Sequence, residues 1–175
     1  MKQPSIIGKS AAFSGHRTIP EGKAETLQSQ LIETIRDLHA KGYRTFFCGM
    51  AMGFDLMAAF SVIYVRQQYG LDVRLIACIP FIGQESRFSE DDKFRYNTLL
   101  QAADEKVVIA RKNSKYSYLR RNDFMLAHST TLIAYHDPSQ PKGGTAYTIR
   151  KAIEMKKDVV NLFWRICLKN IRKRI

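Results

Sequence analysis

Several short clusters in this 175-residue chain carry residue types that could hold a phosphorylated ligand. In CGMAMGFD, Gly49 and Gly53 lie between an apolar run and a helical pattern, with Asp55 just beyond. A glycine after a strand tolerates positive φ and lets a ligand approach the backbone. The helix N-terminus that follows offers free N–H groups to an anion. The spacing is neither GxGxxG nor a Walker A loop, because no Lys-Ser/Thr follows. The competing reading is a tight turn in which Asp55 caps the helix. In PKGGTAY, Gly143, Gly144 and Thr145 precede an amphipathic helix, and Thr145 can cap that helix or bind a phosphate oxygen. In SGHR, Gly15, His16 and Arg17 end the first strand, and Arg17 could pair bidentately with phosphate. In LRRND, Arg121 and Asn122 open a helix, where they could contact phosphate, ribose or base edges, or form a solvated face and an N-cap. The segment PFIGQESRF supplies Pro80 and Phe81, then Gln84, Glu85 and Phe88. A phenylalanine can stack on a base, and Glu85 can accept from ribose hydroxyls or act as an acid or base. The plain alternative for this segment is a polar surface loop.

Those clusters need a frame. Leu27, Leu31, Ile35 and Leu38 fall on one face of a helix over 22–41, which Gly42 stops. Further helices read over 54–69, with Leu56, Phe60 and Ile63 aligned, over 90–103 and 118–128, and over 145–156, with Ile149, Ala152 and Ile153 facing inward. Short apolar runs at 9–14, 44–48, 73–79, 106–110, 131–135 and 159–163 read as strands. Alternation of this kind means one α/β domain, a Rossmann-like open and mostly parallel sheet with helices on both faces. Strands that point the same way gather the loops that follow them at one edge, where open α/β folds bind ligands. All five clusters fall in such loops, whereas the opposite turns, KGYR and YGLD, are short and plain.

The bulk numbers narrow the partners. The formal net charge is +12. The segment 165–175 holds Arg165, Lys169, Arg172, Lys173 and Arg174 with no acid, and taking those five from +12 leaves +7. We therefore divide the chain into a domain over 1–164 and a basic tail over 165–175. The charge invites nucleic acid or anionic ligands. Cys48 and Cys78 sit in apolar runs and Cys167 has no pair spacing, which suits reduced thiols. No signal peptide or transmembrane run is legible, so a cytoplasmic location is expected. The four histidines, His16, His39, His128 and His136, show no metal-ligand spacing, so no metal is expected, and no GxSxG elbow is present.

The ordered set FSGHR, FFCGMAMGFD, PF..QE..F, RRNDFMLAHSTTLIAYHD and GGTAYTIRKA resembles the YpsA-like branch of the SLOG superfamily. That superfamily includes the DNA-processing protein DprA and the LOG phosphoribohydrolases. The resemblance spans roughly residues 11–162 and implies a nucleotide or a nucleotide-derived, ADP-ribose-like ligand. By this resemblance Gly15, His16 and Arg17 match the first-strand signature, and Gly49, Gly53 and Asp55 the second loop. Arg121 and Asn122 match an Arg-Asn pair, and Gly143, Gly144 and Thr145 the phosphate turn. LOG enzymes place a catalytic Glu where Thr148 stands here, so LOG-type N-glycosidic cleavage loses its main support. Glu85 is left as the one candidate acid or base, and only if its loop folds over the ligand. The expected role is therefore a sensor or regulatory module for a small nucleotide derivative. Phosphoribohydrolase activity and DprA-like single-stranded DNA binding are the alternatives, and self-association into a homo-oligomer stays open.

Overall fold

A computed structural model describes residues 9–164. Six strands form one sheet: β1 (Lys9–Gly15), β2 (Tyr43–Cys48), β3 (Arg74–Ile79), β4 (Glu105–Val108), β5 (Thr131–Tyr135) and β6 (Asp158–Asn161). Every pairing is parallel, in the order β4-β3-β2-β1-β5-β6. The helices between them are α1 (Ala24–Ala40), α2 (Phe54–Tyr69), α3 (Glu90–Ala102), α4 (Ser117–Ala127) and α5 (Gly144–Glu154). The expected α/β, Rossmann-like single domain is what the chain forms.

The central strand β1 is built of small residues on either side of Phe13, and Ala11 and Ala12 are fully buried. Small side chains there let helices approach both faces. One core joins Phe13, Phe46 and Leu75 of the sheet to Leu31 of α1, Val62 of α2 and Leu99 of α3. The other joins Ala12, Phe47 and Ile76 to Met125 and Leu126 of α4 and Ala152 of α5. Alternate residues of each strand therefore feed opposite cores, as the period of two requires. The stripe Leu27, Leu31, Ile35 and Leu38 is buried as its spacing predicts. Two helical expectations fail: Phe60 on α2 and Ile153 on α5 are exposed. Sequence periodicity gives the side of a helix, but a side chain at the margin of its apolar stripe can lie beyond the sheet or the next helix.

The connection from β4 crosses the sheet to β5, so strand order reverses between β1 and β5. This reversal is the topological switch point, the place beyond the strand ends where open α/β folds bind ligands. Among the described residues no helix is long and apolar enough to cross a membrane. The basic segment 165–175 and Cys167 lie outside the described residues.

Candidate functional site

The loops after β1, β2 and β5 come together at this edge of the sheet. In the β1–β5 register Gly15 lies opposite Tyr135, so His16 and His136 begin their loops side by side. The His16 amide donates to the Tyr135 carbonyl at 3.1 Å. Its ring Nε2 accepts from the Asp137 amide at 2.8 Å, and the two imidazoles lie 5.2 Å apart. His136 is held by Asn161, which accepts from its amide and donates to its carbonyl. Its ring Nδ1 is buried with no hydrogen-bond partner. Burial lowers the His136 pKa, and the neighbouring His16 adds to the effect. Spacing passes over His136, yet the signal was available: it follows β5 as His16 follows β1.

The loop between β2 and α2 is packed from beneath. Met50 adopts φ 56°, which is unusual for a residue with a side chain. Gly53 takes φ 74° and ψ −118° at the N-cap of α2, and no side chain caps that helix. A Cβ at Gly53 would strike the Arg17 carbonyl, so this close approach needs glycine. The Gly53 carbonyl accepts from Met57, and the His16 carbonyl accepts from Phe54, tying the first two loops together. Gly15 lies under the Phe54 ring.

Beneath this loop sits a buried charge pair. Asp55 is 5% exposed and Arg121 is 4% exposed. Both face the point where a Gly49 Cβ would sit. Asp55 does not cap α2; its Oδ2 accepts from the Ala51 amide at 3.3 Å. Burial pushes the Asp55 carboxyl from 3.8 to about 6, with Arg121 and the Ala51 amide pulling the other way. Arg121 donates to the Gly49 carbonyl and, at 2.7 Å, to Asn122 Oδ1. Asn122 donates to Thr148 at 2.9 Å, and Thr148 donates to the Gly144 carbonyl at 2.8 Å. One chain of polar contacts thus runs from the second loop to the start of α5.

Arg121 and Asn122 therefore neither open a helix nor form a solvated face. They lie within α4 and point into the protein, because the helix begins earlier, at Ser117. Thr145 is likewise not the cap of its helix; Gly143 is, with φ 104° and no side-chain bond. Gly143 and Gly144 are exposed, and a Cβ on either would meet nothing. Both glycine-led helices, α2 and α5, start without a side-chain cap at the same edge of the sheet.

Arg17 is exposed and its guanidinium lies 5.0 Å from the centre of the Tyr118 ring. The same ring meets Phe81 edge-on at 5.5 Å and lies 5.9 Å from the Arg121 guanidinium. Tyr118 thus positions the one cation of the constellation that solvent reaches, a role that nothing in its spacing announces. PFIGQESRF is no polar surface loop. Pro80, Phe81 and Gln84 are buried, residues Gln84–Arg87 form a 3₁₀ turn, and Gln84 donates to the Met50 carbonyl at 3.1 Å. Glu85 lies in that turn, half-buried. Cys48 and Cys78 are free and buried, which raises both thiol pKa values, that of Cys78 to about 12.

The site can hold an anion against two uncapped helix starts with Arg17 at its mouth. Thr148 cannot supply the acid or base that the LOG pattern requires, because its hydroxyl is engaged by Asn122 and the Gly144 carbonyl. A cavity of about 790 Å³ begins at Arg17, Met52 and Gly53 and runs between α1, α2 and α3.

Residues 18–169 match the YspA SLOG family. The chain belongs to that family. Membership carries a family-level, nucleotide-related role and bears out the resemblance read from the five motifs. The SPbeta prophage-derived protein YoqJ of Bacillus subtilis is 29% identical over 154 residues, covering 80% of this chain and 86% of YoqJ. A UPF0398 protein of Bacillus velezensis is 23% identical over 147 residues, covering 82% of this chain and 80% of that protein. Among solved structures, DNA processing protein A of Helicobacter pylori, whose single-stranded DNA binding mode that structure describes, superposes with a TM-score of 0.60 at 20% identity. The superposition covers 86% of this chain and 63% of that one. The structural genomics target TM1055 superposes with a TM-score of 0.54 at 17% identity, over 90% of this chain and 79% of its own. At these identities both likenesses speak to the fold.

Proposed function

We propose that the chain binds a nucleotide or nucleotide-derived, ADP-ribose-like ligand at the C-terminal edge of its sheet and acts as a sensor or regulatory module. The observation that carries this is a pair of glycine-led helix starts, neither capped by a side chain, at the same edge of the sheet and joined by the polar chain from Gly49 to Gly144. Backbone amides and helix dipoles there favour negative charge. Arg17 supplies the reachable guanidinium, while Arg121, Asn122 and Asp55 hold the loops from below. The free, buried cysteines fit a reducing compartment, and a cytoplasmic location is part of the proposal. Titration calorimetry with ADP-ribose, ADP and AMP tests it. Binding that Arg17→Ala weakens by roughly tenfold supports it, since a charge-assisted hydrogen bond contributes about 1.5–3 kcal/mol. A folded protein that gives no heat with any member of the panel overturns it.

One observation favours a second reading, single-stranded nucleic acid. Arg111, Lys112, Lys115, Tyr116 and Arg120 are all exposed on the segment between β4 and the first turns of α4, at the same edge. A cationic strip with an aromatic ring is the physical requirement for such binding. Affinity for an oligonucleotide that falls steeply between low and moderate salt would support this reading. A salt-independent signal, or none, removes it.

A further inference from the structure

The cavity that begins at Arg17 and Gly53 is not lined by the loop after β5. It runs along the helical layer and has two exposed phenylalanines on its walls, Phe60 of α2 at 42% and Phe94 of α3 at 74%. Its lining is mostly apolar, with Leu56 and Leu99 buried. Its volume of about 790 Å³ falls among those of small-molecule sites, which span about 300–1,000 Å³. Arg17 stands at the end shared with the glycine loop, and Arg95 and Asp92 stand on α3. Phe60 packs against Tyr64 at 5.9 Å between ring centres, and the exposed Phe94 beside it adds a second aromatic surface, which suits a flat ring that gains from stacking as well as from burial. An Arg fixed by Tyr118 at one end suits a negative group on the same ligand.

We propose that this groove takes the planar ring of an aromatic anion whose negative end rests at Arg17 and Gly53. That the ring is a nucleobase rests on the nucleotide reading above. In that case phosphates occupy the glycine loop and the base extends into the groove between α2 and α3, rather than toward the loop after β5.

The probe is 8-anilinonaphthalene-1-sulfonate, an aromatic anion with a planar naphthalene ring, added to the full chain under native conditions and followed by its fluorescence. Phe94→Ala and Phe60→Ala change exposed side chains and are expected to fold. Saturable dye binding that Phe94→Ala weakens by about fivefold, as the loss of one aromatic contact implies, supports the groove. Displacement of the dye by AMP assigns the ring as a base. Dye binding that ignores both substitutions overturns the proposal, as does no dye binding at all. If calorimetry shows AMP binding with the same affinity in wild type, Phe60→Ala and Phe94→Ala, the nucleotide reading stands and the groove is wrong. If the dye binds in a Phe94-dependent way while no nucleotide binds or displaces it, the groove stands as an aromatic-anion site and the nucleotide reading fails. Sedimentation that finds a dimer broken by Phe94→Ala shows a second copy covering the groove and also overturns the proposal.

Discussion

The two glycine turns of the site look alike in sequence and differ in structure. At the start of α2 every glycine is enclosed. A Cβ on Gly49 would meet Arg121 and Asp55, and one on Gly53 would meet the Arg17 carbonyl. At the start of α5 the space around Gly143 and Gly144 is open. The first turn is closed over a buried charge pair and can offer a ligand only its backbone amides; the second also leaves open space around its glycines. Glycine therefore signals two different things here, close packing of the protein on itself and room for something else.

The sharpest way to break this contrast is Arg121→Met. It removes the stronger of the two cations acting on the Asp55 carboxyl, leaving only the weaker pull of Arg17, and strips the Gly49 carbonyl and Asn122 of a donor. Breaking a buried charge pair costs about 3–5 kcal/mol. Urea unfolding of the variant should show a loss of that size; a loss within experimental error would mean that the loop does not depend on what lies beneath it. Gly53→Ala comes next. Its backbone conformation is one that side chains avoid and its Cβ meets backbone, which together cost roughly 3 kcal/mol. If its melting temperature falls no further than that of a matched substitution at Gly144, the distinction between the two turns collapses.

The pH dependence of Asp55 sharpens the same point. Its folded pKa, about 6, lies above the ordinary 3.8, so the folded state holds a proton that the unfolded state has released. Stability from this group is therefore full below about pH 4 and declines as pH rises toward and past 6, by up to roughly 3 kcal/mol. Asp55→Asn keeps the neutral shape and removes the titration. Unfolding free energies measured from pH 4 to 7 should show the wild type losing ground to Asp55→Asn as pH rises. Parallel curves would mean that the carboxyl is not desolvated as the structure has it.

How much of this was legible beforehand follows from which forces act locally. The strand-helix alternation, the boundaries of α2 and the stripe of α1 rest on period and caps, which a sequence displays directly. The gathering of five clusters at one edge follows from parallel topology. Burial at a distance was not legible. Arg121 and Asn122 carry a surface composition, and only the packing of α4 on the β2–α2 loop turns them inward. Tyr118 gains its role from Arg17, a hundred residues away in the chain. His136 pairs with His16 only because β5 lies beside β1. Each depends on which elements become neighbours, and local pattern does not contain that information.

The smallest change tests the open turn by itself. At Gly144 a methyl group would meet no atom, and the residue lies in the first turn of α5 with no need for positive φ. Gly144→Ala should therefore leave the fold intact and raise its stability by about 0.4–1 kcal/mol, through the unfolded chain's reduced freedom. The same methyl would stand where an anion must approach the α5 amides. Affinity for ADP should fall about tenfold, equivalent to about 1.4 kcal/mol, while the melting temperature holds or rises. Destabilisation and weakened binding together would make the turn another packed corner. Unchanged affinity in a stabilised protein would move the phosphate seat to the α2 loop and Arg17 alone. A loss of binding without a loss of stability is the result that separates the ligand's turn from the protein's own.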